Sequence, residues 1–308
     1  MTDVTTPARY EVFEREFRRL VKRGAELRKL ATGCEWAEGP CWFAEHGYVI
    51  WSDIPNNRIL KWSPGEGMTV FRQPSNYTNG HTRDRQHRLV SCEHGGRRIS
   101  RTEPDGSVVT VVDNYRGKRL NSPNDVVVKS DGTIWFTDPP YGILSNREGH
   151  QADSELGRNY VFRFEPAHNS LSIVADDFDK PNGIAFSPDE KVLYIADTGM
   201  SHRSDGPHHI RAFDVGTAGK LEHSRVFAEI DPGMADGFRV DTAGNVWTSA
   251  GDGIHVLNPS GTLLGKILVP ERAVANCTFG GQERTTLFIT ATTSLYSIEV
   301  AARGAQTP

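Results

Sequence analysis

Six polar residues recur along the chain, each in front of a short strand-like run and each with a side-chain oxygen that could bind a cation. They are Glu38, Asn79, Asn124, Asn182, Asp236 and Asn276. Subtraction of their numbers gives intervals of 40 to 58 residues, about the length of one four-stranded blade of a β-propeller. Equivalent positions of all blades converge on one axis in such a fold, so these side chains would meet there. The spacing therefore predicts a metal site on the axis.

Four of the six positions stand in strong local context: Glu38 in AEGPCW, Asn124 in NSPNDVVV, Asn182 in KPNGIAF and Asp236 in MADGFRV. Carboxylate and amide oxygens suit Ca²⁺, Mg²⁺ or Mn²⁺, and the absence of His and Cys at these positions disfavours a structural zinc. Asn-Gly, Asp-Gly and Pro-Asn are also ordinary turn dipeptides. One of them alone would indicate only a turn, whereas four at propeller spacing favour the cation site.

The elements that must position these residues are strands. From residue 26 onward, short runs rich in Val, Ile, Trp, Tyr, Phe and Thr alternate with turns, as in Gly47–Asp53, Thr133–Asp138 and Val192–Asp197. We predict an all-β fold in which residues 26–300 form one catalytic domain, a six-bladed β-propeller. The sixth unit reaches Val300 after three strands. The N-terminal strand Glu26–Thr32 is predicted to close the last blade, because closure removes exposed strand edges.

Residues 9–23 predict an amphipathic N-terminal helix, since Phe13, Phe17, Leu20 and Val21 lie three or four residues apart. Residues 1–25 would then be a helical extension outside the propeller, and residues 301–308 a C-terminal tail. The apolar stripe of this helix needs a cover, which either the domain or a second subunit could supply. A monomer and a homodimer are both compatible with this pattern.

Two long irregular segments, 139–159 and 199–208, interrupt blades three and four at the same place. Loops of this length in a compact domain are usually lids or binding loops. Because both would leave from one face of the ring, we expect a lidded mouth.

Composition excludes several classes of function. The 308 residues carry a net charge of −4, so we expect no nucleic-acid partner. No apolar run approaches the ~18 residues that span a membrane, and Met1–Leu30 shows no secretory signal, so we expect a cytoplasmic protein. The four cysteines form no C-x-x-C pair; free thiols are expected, with a Cys34–Cys41 disulfide as the alternative.

Several ordered motifs make the chain recognisable: AEGPCW at 37–42, SCEHGGRR at 91–98, LNSPND at 120–125, PNGIAFS at 181–187 and ADGF at 235–238. From about residue 30 to 300 the chain resembles the SMP-30/gluconolactonase/LRE-like family, and within it the bacterial gluconolactonases. The resemblance implies a six-bladed propeller with one divalent cation at the axis, Ca²⁺ first, with Mg²⁺, Mn²⁺ or Zn²⁺ as alternatives.

Carried over by motif, the resemblance implies that Glu38, Asn182 and Asp236 are metal ligands and that Asn124 is a fourth ligand or a substrate contact. The implied reaction is hydrolysis of a sugar lactone, of the glucono-1,5-lactone type, to the aldonic acid, with the metal as Lewis acid. Asp236 is expected to have a second, catalytic role as general base or proton carrier.

Three further residues are predicted to bind substrate. Asn79 and Asn121 would present amides to sugar hydroxyls, with turn residues as the alternative. His94 would contact the substrate or relay a proton, with a buried histidine satisfied by backbone as the alternative.

Two rival functions stay open at this stage, because fold alone does not decide function. One is hydrolysis of another lactone or of a phosphotriester by the same propeller. The other is a non-catalytic binding scaffold with a structural ion, against which the polar axis argues.

Overall fold

The computed structural model describes residues 4–306, which form six antiparallel sheets of four or five strands. The first elements are β1 (Val4–Pro7), β2 (Arg9–Val12), the one-turn helix α1 (Phe17–Leu20) and β3 (Glu26–Thr32). Blade one contains β4 (Ala37–Phe43), β5 (Tyr48–Asp53), β6 (Arg58–Ser63) and β7 (Gly67–Arg72). Blade two contains β8 (Thr78–Arg83), β9 (Leu89–Glu93), β10 (Arg98–Thr102) and β11 (Val108–Val112). A small hairpin, β12 (Asn114–Tyr115) and β13 (Lys118–Arg119), follows.

Blades three to six repeat this plan, with the first strand of each blade nearest the axis. Blade three contains β14 (Val126–Val128), β15 (Ile134–Asp138), β16 (Tyr160–Glu165) and β17 (Ser170–Ala175), with the one-turn helix α2 (Tyr141–Leu144) between β15 and β16. Blade four contains β18 (Pro181–Phe186), β19 (Val192–Asp197), β20 (His209–Val215) and β21 (Leu221–Glu229). Blade five contains β22 (Phe238–Val240), β23 (Val246–Ser249), β24 (Gly253–Leu257) and β25 (Leu263–Leu268). Blade six contains β26 (Val274–Gly280), β27 (Thr286–Ala291) and β28 (Ser294–Glu299).

The core lies between neighbouring blades, where second strands contribute large aromatic side chains. Trp51, Trp135 and Trp247 are fully buried. Each packs in an apolar cluster that includes residues of an adjacent blade. Because each blade is covered on both faces by its two neighbours in the ring, these strands are almost continuously apolar instead of alternating. Truncation of one such ring would cost about 3–5 kcal/mol.

The ring is closed by the N-terminal segment, as predicted. β3 pairs with β28 in blade six, with Thr32 opposite Ser294, and β1 pairs with the other edge of β3. β2 pairs instead with β25, as the fifth strand of blade five. The N-terminal segment therefore completes blade six and also joins it to blade five.

The helix predicted over residues 9–23 is wrong except at Phe17–Leu20, and the helical extension over residues 1–25 is corrected accordingly; residues 1–3 lie outside the described part. Residues 9–12 form β2, because β25 offers an open edge whose backbone groups they satisfy. Of the predicted apolar stripe, Phe17 is fully buried whereas Phe13 is 54% exposed. Tertiary strand pairing thus outweighs the helical periodicity, which is a weak preference.

The C-terminal tail crosses the end of the inner strands. The Ala305 N–H donates to the Val240 carbonyl at 2.9 Å, and the Gln306 Nε2 donates to Thr82 Oγ1 at 2.8 Å. It therefore joins blade five to blade two. All four cysteines are free and buried, so the alternative disulfide does not form. None of the helices in residues 4–306 is long and apolar enough to span a membrane.

Candidate active site at the propeller axis

Neighbouring blades touch one another in a closed circle near these polar residues, four times between inner strands or the residues beside them and twice through Ser52 and Thr137 of second strands. The contacts, in order around the ring, are Ser52 Oγ to the Asn79 carbonyl at 2.8 Å, Gly80 N to the Asn124 carbonyl at 2.8 Å, Thr137 Oγ1 to the Asn182 carbonyl at 2.8 Å, Gly183 N to the Asp236 carbonyl at 3.0 Å, Gly237 N to the Ala275 carbonyl at 2.8 Å, and Asn276 Nδ2 to Glu38 Oε2 at 3.1 Å. Repetition at a blade interval therefore does bring these residues to one axis.

Local irregularities turn the side chains towards that axis. The pairing of inner strands with their neighbours shifts register between Glu38 and Cys41, between Pro181 and Ile184, and near Asn276. Such bulges re-aim side chains and are common beside active sites. The glycine after Asn182 has a separate function: a Cβ on Gly183 would lie 2.1 Å from the Asp236 carbonyl oxygen. Asn182-Gly183 is thus a close-approach motif between blades and not a hairpin turn.

A cavity of about 390 Å³ lies at this convergence. All four predicted metal ligands line it together with Asn79: Glu38, Asn79, Asn124, Asn182 and Asp236. Apolar side chains, among them Ile54, Met234 and Val274, complete part of the wall. The cavity has the size of a small-molecule site with a few polar groups in an otherwise apolar lining.

The two carboxylates on the axis are held in surroundings that disfavour their negative charge. Burial raises the pKa of Glu38, although its Oε2 accepts hydrogen bonds from the Gly39 N–H at 2.6 Å and from Asn276. Burial also raises the pKa of Asp236 well above its ordinary value, and the Glu38 charge raises it further. A bound cation would offset both effects, because a nearby positive charge favours the ionised form.

The amides supply oxygens that the protein itself leaves open. Asn182 Nδ2 donates to Thr198 Oγ1 at 3.2 Å, while its Oδ1 receives no hydrogen bond from residues 4–306. The Asn124 side chain makes no hydrogen bond with any described residue. Two carboxylates and two amide oxygens form a hard donor set of the kind that Ca²⁺ takes. Within the same residues no group of three or more His, Cys, Asp or Glu is placed to hold a metal.

Asn121 does not line the cavity, so its predicted contact with sugar hydroxyls is corrected. Its side chain is fully buried. The amide donates to the carbonyls of Asp138 at 3.1 Å and Arg158 at 2.9 Å, and accepts from Ser154 Oγ at 2.6 Å. With its hydrogen-bonding groups engaged, Asn121 holds the 139–159 loop against blade three.

His94 lies one layer behind the cavity wall. Its Nδ1 bonds to the Glu148 carbonyl at 3.1 Å, and its Nε2 lies 3.4 Å from Asn79 Nδ2. Burial lowers the pKa of His94 to about 4, so the ring is neutral at pH 7. The structure places His94 behind Asn79, which does line the cavity, and not in direct reach of a substrate.

The two long loops meet over the cavity, as their common position in the blades predicts. Tyr141, from α2, hydrogen-bonds through its hydroxyl to Thr198 Oγ1 at 2.7 Å and to Ser201 Oγ at 2.9 Å. The 139–159 loop also brings Arg147 and Glu148 to the wall. Sequence analysis missed Glu148, because a single carboxylate in an irregular loop carries no periodic signal.

Fold and site together define a class of protein: a six-bladed propeller whose axis carries a carboxylate and amide donor set beneath two loops. The chain belongs to the SMP-30/Gluconolactonase/LRE-like family, whose model matches residues 36–293.

Individual relatives agree with this assignment. The chain is 31% identical to a gluconolactonase from Zymomonas mobilis over 296 residues, covering 90% of this chain and 82% of that protein. It is 27% identical to a 6-deoxy-6-sulfogluconolactonase from Pseudomonas putida, covering 86% of each. A solved structure of a Xanthomonas campestris gluconolactonase superposes with a TM-score of 0.89 at 39% identity, covering 97% of both chains.

Proposed function

We propose that the protein hydrolyses a sugar lactone, of the glucono-1,5-lactone type, to the open aldonic acid in the axial cavity. The observation that carries the proposal is the meeting of Glu38, Asn124, Asn182 and Asp236 in one cavity. The relatives named as gluconolactonases cover most of the chain and support the same reaction.

The proposed cofactor is one divalent cation, Ca²⁺ first and Mg²⁺, Mn²⁺ or Zn²⁺ as alternatives. Glu38, Asn182 and Asp236 would hold it, with Asn124 as a fourth ligand or a contact to substrate. Bound there, the cation would polarise the lactone carbonyl and stabilise the negative charge that develops on its oxygen.

The other wall residues would bind and orient the sugar. The Asn79 amide faces the cavity and can bond to a ring hydroxyl, while Ile54 and Met234 can pack against the apolar edge of the ring. Asp236 lies where it can carry a proton, although a carboxylate on a cation is a weak base. The Tyr141–Ser201 contact keeps the two loops together over the substrate and limits entry of bulk water.

Charges in the cavity favour an uncharged substrate. Glu38, Asp236 and Glu148 line it with carboxylates, and Arg147 is the only Lys or Arg among the lining residues described. Arg147 is already bonded to Glu35 at 2.9 Å. With a divalent cation balancing Glu38 and Asp236, Glu148 remains as the uncompensated carboxylate of the described lining, and it would repel a phosphorylated lactone more than a neutral one, since like charges at short range are unfavourable.

The test is pH-stat hydrolysis of glucono-1,5-lactone, corrected for the spontaneous rate, by protein stripped with EDTA and then supplied with each cation in turn. We expect activity to disappear on stripping and to return with Ca²⁺, and 6-phosphogluconolactone to be a poor substrate. Folded, cation-loaded protein without activity on any sugar lactone would refute the proposal.

A further inference from the structure

Glu148 is a cavity carboxylate without a partner. It belongs to the 139–159 loop, is half-buried, and lines the axial cavity with Asp236. No hydrogen bond or ion pair to its carboxylate forms within residues 4–306. Burial raises its pKa, and its charge in turn raises the pKa of Asp236. The Glu148 charge is therefore felt at Asp236 across the cavity.

The backbone around Glu148 is fixed to the propeller. The Glu148 carbonyl accepts from His94 Nδ1 at 3.1 Å, and the His150 N–H donates to the Gly142 carbonyl at 3.0 Å. A Cβ on Gly149 would lie 2.2 Å from that same carbonyl oxygen, so residues 142 and 149 of the loop are in close contact. This backing fixes the point from which the Glu148 side chain enters the cavity.

Hydrolysis of a lactone needs a group that takes and returns a proton. Glu38 and Asp236 belong to the proposed donor set, where a cation would weaken them as bases. Other candidates at or near the wall are less suited: both His94 ring nitrogens face partners, and the Tyr141 hydroxyl bonds to Thr198 and Ser201. His202 also lines the cavity, but its ring is exposed and its Nδ1 bonds to Ser201 Oγ at 2.8 Å. Glu148 is the cavity carboxylate outside the donor set.

We propose that Glu148 is the catalytic base of this site; the inference rests on the proposed lactonase function. As water attacks the lactone carbonyl carbon, a new C–O bond forms and one water proton moves to the Glu148 carboxylate. When the tetrahedral intermediate collapses, the bond to the ring oxygen breaks and its electron pair stays on that oxygen, which takes the proton back from Glu148. The product acid then releases its own proton to solvent.

The experiment compares Glu148→Gln with Asp153→Asn in the full chain loaded with Ca²⁺. Asp153 lies on the same loop, is exposed, and makes no hydrogen bond or ion pair with the described residues, so its substitution removes the same charge without touching the cavity. Loss of a general base typically costs 10²–10⁴-fold in rate. We expect Glu148→Gln to lower kcat for glucono-1,5-lactone at least about 10²-fold with KM changed only a few-fold, and Asp153→Asn to match wild type. Calorimetric Ca²⁺ binding should be retained in both.

Each other outcome decides against the inference. Wild-type kcat in Glu148→Gln would overturn it, and so would a raised KM with unchanged kcat, which would make Glu148 a binding group only. Should the Gln variant fail to fold, Glu148→Asp keeps the charge but withdraws the carboxylate by one methylene, and unchanged kcat there would equally overturn it. Inactivity of the wild type on every sugar lactone would refute the proposed function itself, a result distinct from an active wild type with an unaffected variant.

Discussion

The contact between Gly183 and Asp236 permits a sharp test of how the axis is held together. Gly183 has no room for a side chain: its Cβ would lie 2.1 Å from the Asp236 carbonyl oxygen, against a lower limit of 3.0 Å for such contacts. Gly183→Ala must therefore open the strands by about 0.9 Å, the difference between these distances. It would also lengthen the 3.0 Å hydrogen bond from Gly183 N to that oxygen. Asn182 and Asp236 would move apart as a result.

The expected cost has two parts. Overpacking costs about 1–3 kcal/mol, and the strained hydrogen bond about 1 kcal/mol more. At about 2 °C per kcal/mol for a large domain, Tm should fall by about 4–8 °C. Because misplacement of groups by about 1 Å can cost 10²-fold in rate, kcat/KM for glucono-1,5-lactone should fall to about a hundredth. Calorimetric affinity for Ca²⁺ should fall in parallel.

Gly65→Ala is the matched control. Gly65 has an ordinary φ, and a Cβ there would meet nothing within 4 Å, so the same substitution should leave Tm, Ca²⁺ affinity and activity unchanged. If Gly183→Ala also kept wild-type Ca²⁺ affinity and activity, close strand approach would not be what positions the donors, and the account of the axis given above would be refuted.

Three further outcomes are expected. Asp138→Asn should flatten the pH dependence of stability between pH 4 and 7. Burial raises the pKa of Asp138 to about 7, so the folded state holds this proton more tightly and stability falls as pH rises through that window, by at most about 4 kcal/mol. The free energy of unfolding from urea titrations at pH 5 and pH 7 checks this, and an equal change between the two pH values in wild type and variant would contradict it. Phe17→Ala should lower the free energy of unfolding by about 3–5 kcal/mol, because Phe17 is fully buried. Phe13→Ala should change it by under about 0.5 kcal/mol, because Phe13 is exposed. Similar losses in the two variants would contradict the described packing of the N-terminal segment. EDTA should lower Tm, and added Ca²⁺ should restore it. At a Ca²⁺ concentration a thousandfold above Kd, binding should add about 4 kcal/mol to the free energy of unfolding. A Tm insensitive to both additions would argue against a cation at the axis.

Blade spacing was the part of the fold that sequence could predict. Repetition of a polar residue before each strand indicates both the blade count and a common axis, because the geometry of a propeller converts equal positions into one place. The same pattern led to Glu38, Asn124, Asn182 and Asp236, which the structure brings together. Their role as metal ligands stays a prediction.

What sequence could not reveal depended on long-range contacts. Asn79 and Asn121 were both predicted to contact sugar hydroxyls, but only Asn79 belongs to the set that recurs at blade spacing; the 139–159 loop folds back onto Asn121 and leaves Asn79 at the cavity. The spacing of Phe13 and Phe17 fits a helix, yet the open edge of β25 makes residues 9–12 a strand. Bulges that turn the donors inward are likewise products of pairing, which a single strand's composition does not encode.

Closure of the ring by β3 has a consequence for synthesis of the protein. Thr32 and its partner Ser294 are 262 residues apart, a distance that a ribosome covers in about 13–50 s at 5–20 residues per second. During that time the edge of β3 that pairs with β28 has no native partner, and five finished blades can stack only as an open arc. Unpaired strand edges of this kind promote aggregation, so slower translation should lower the yield of folded protein more than its final stability would suggest.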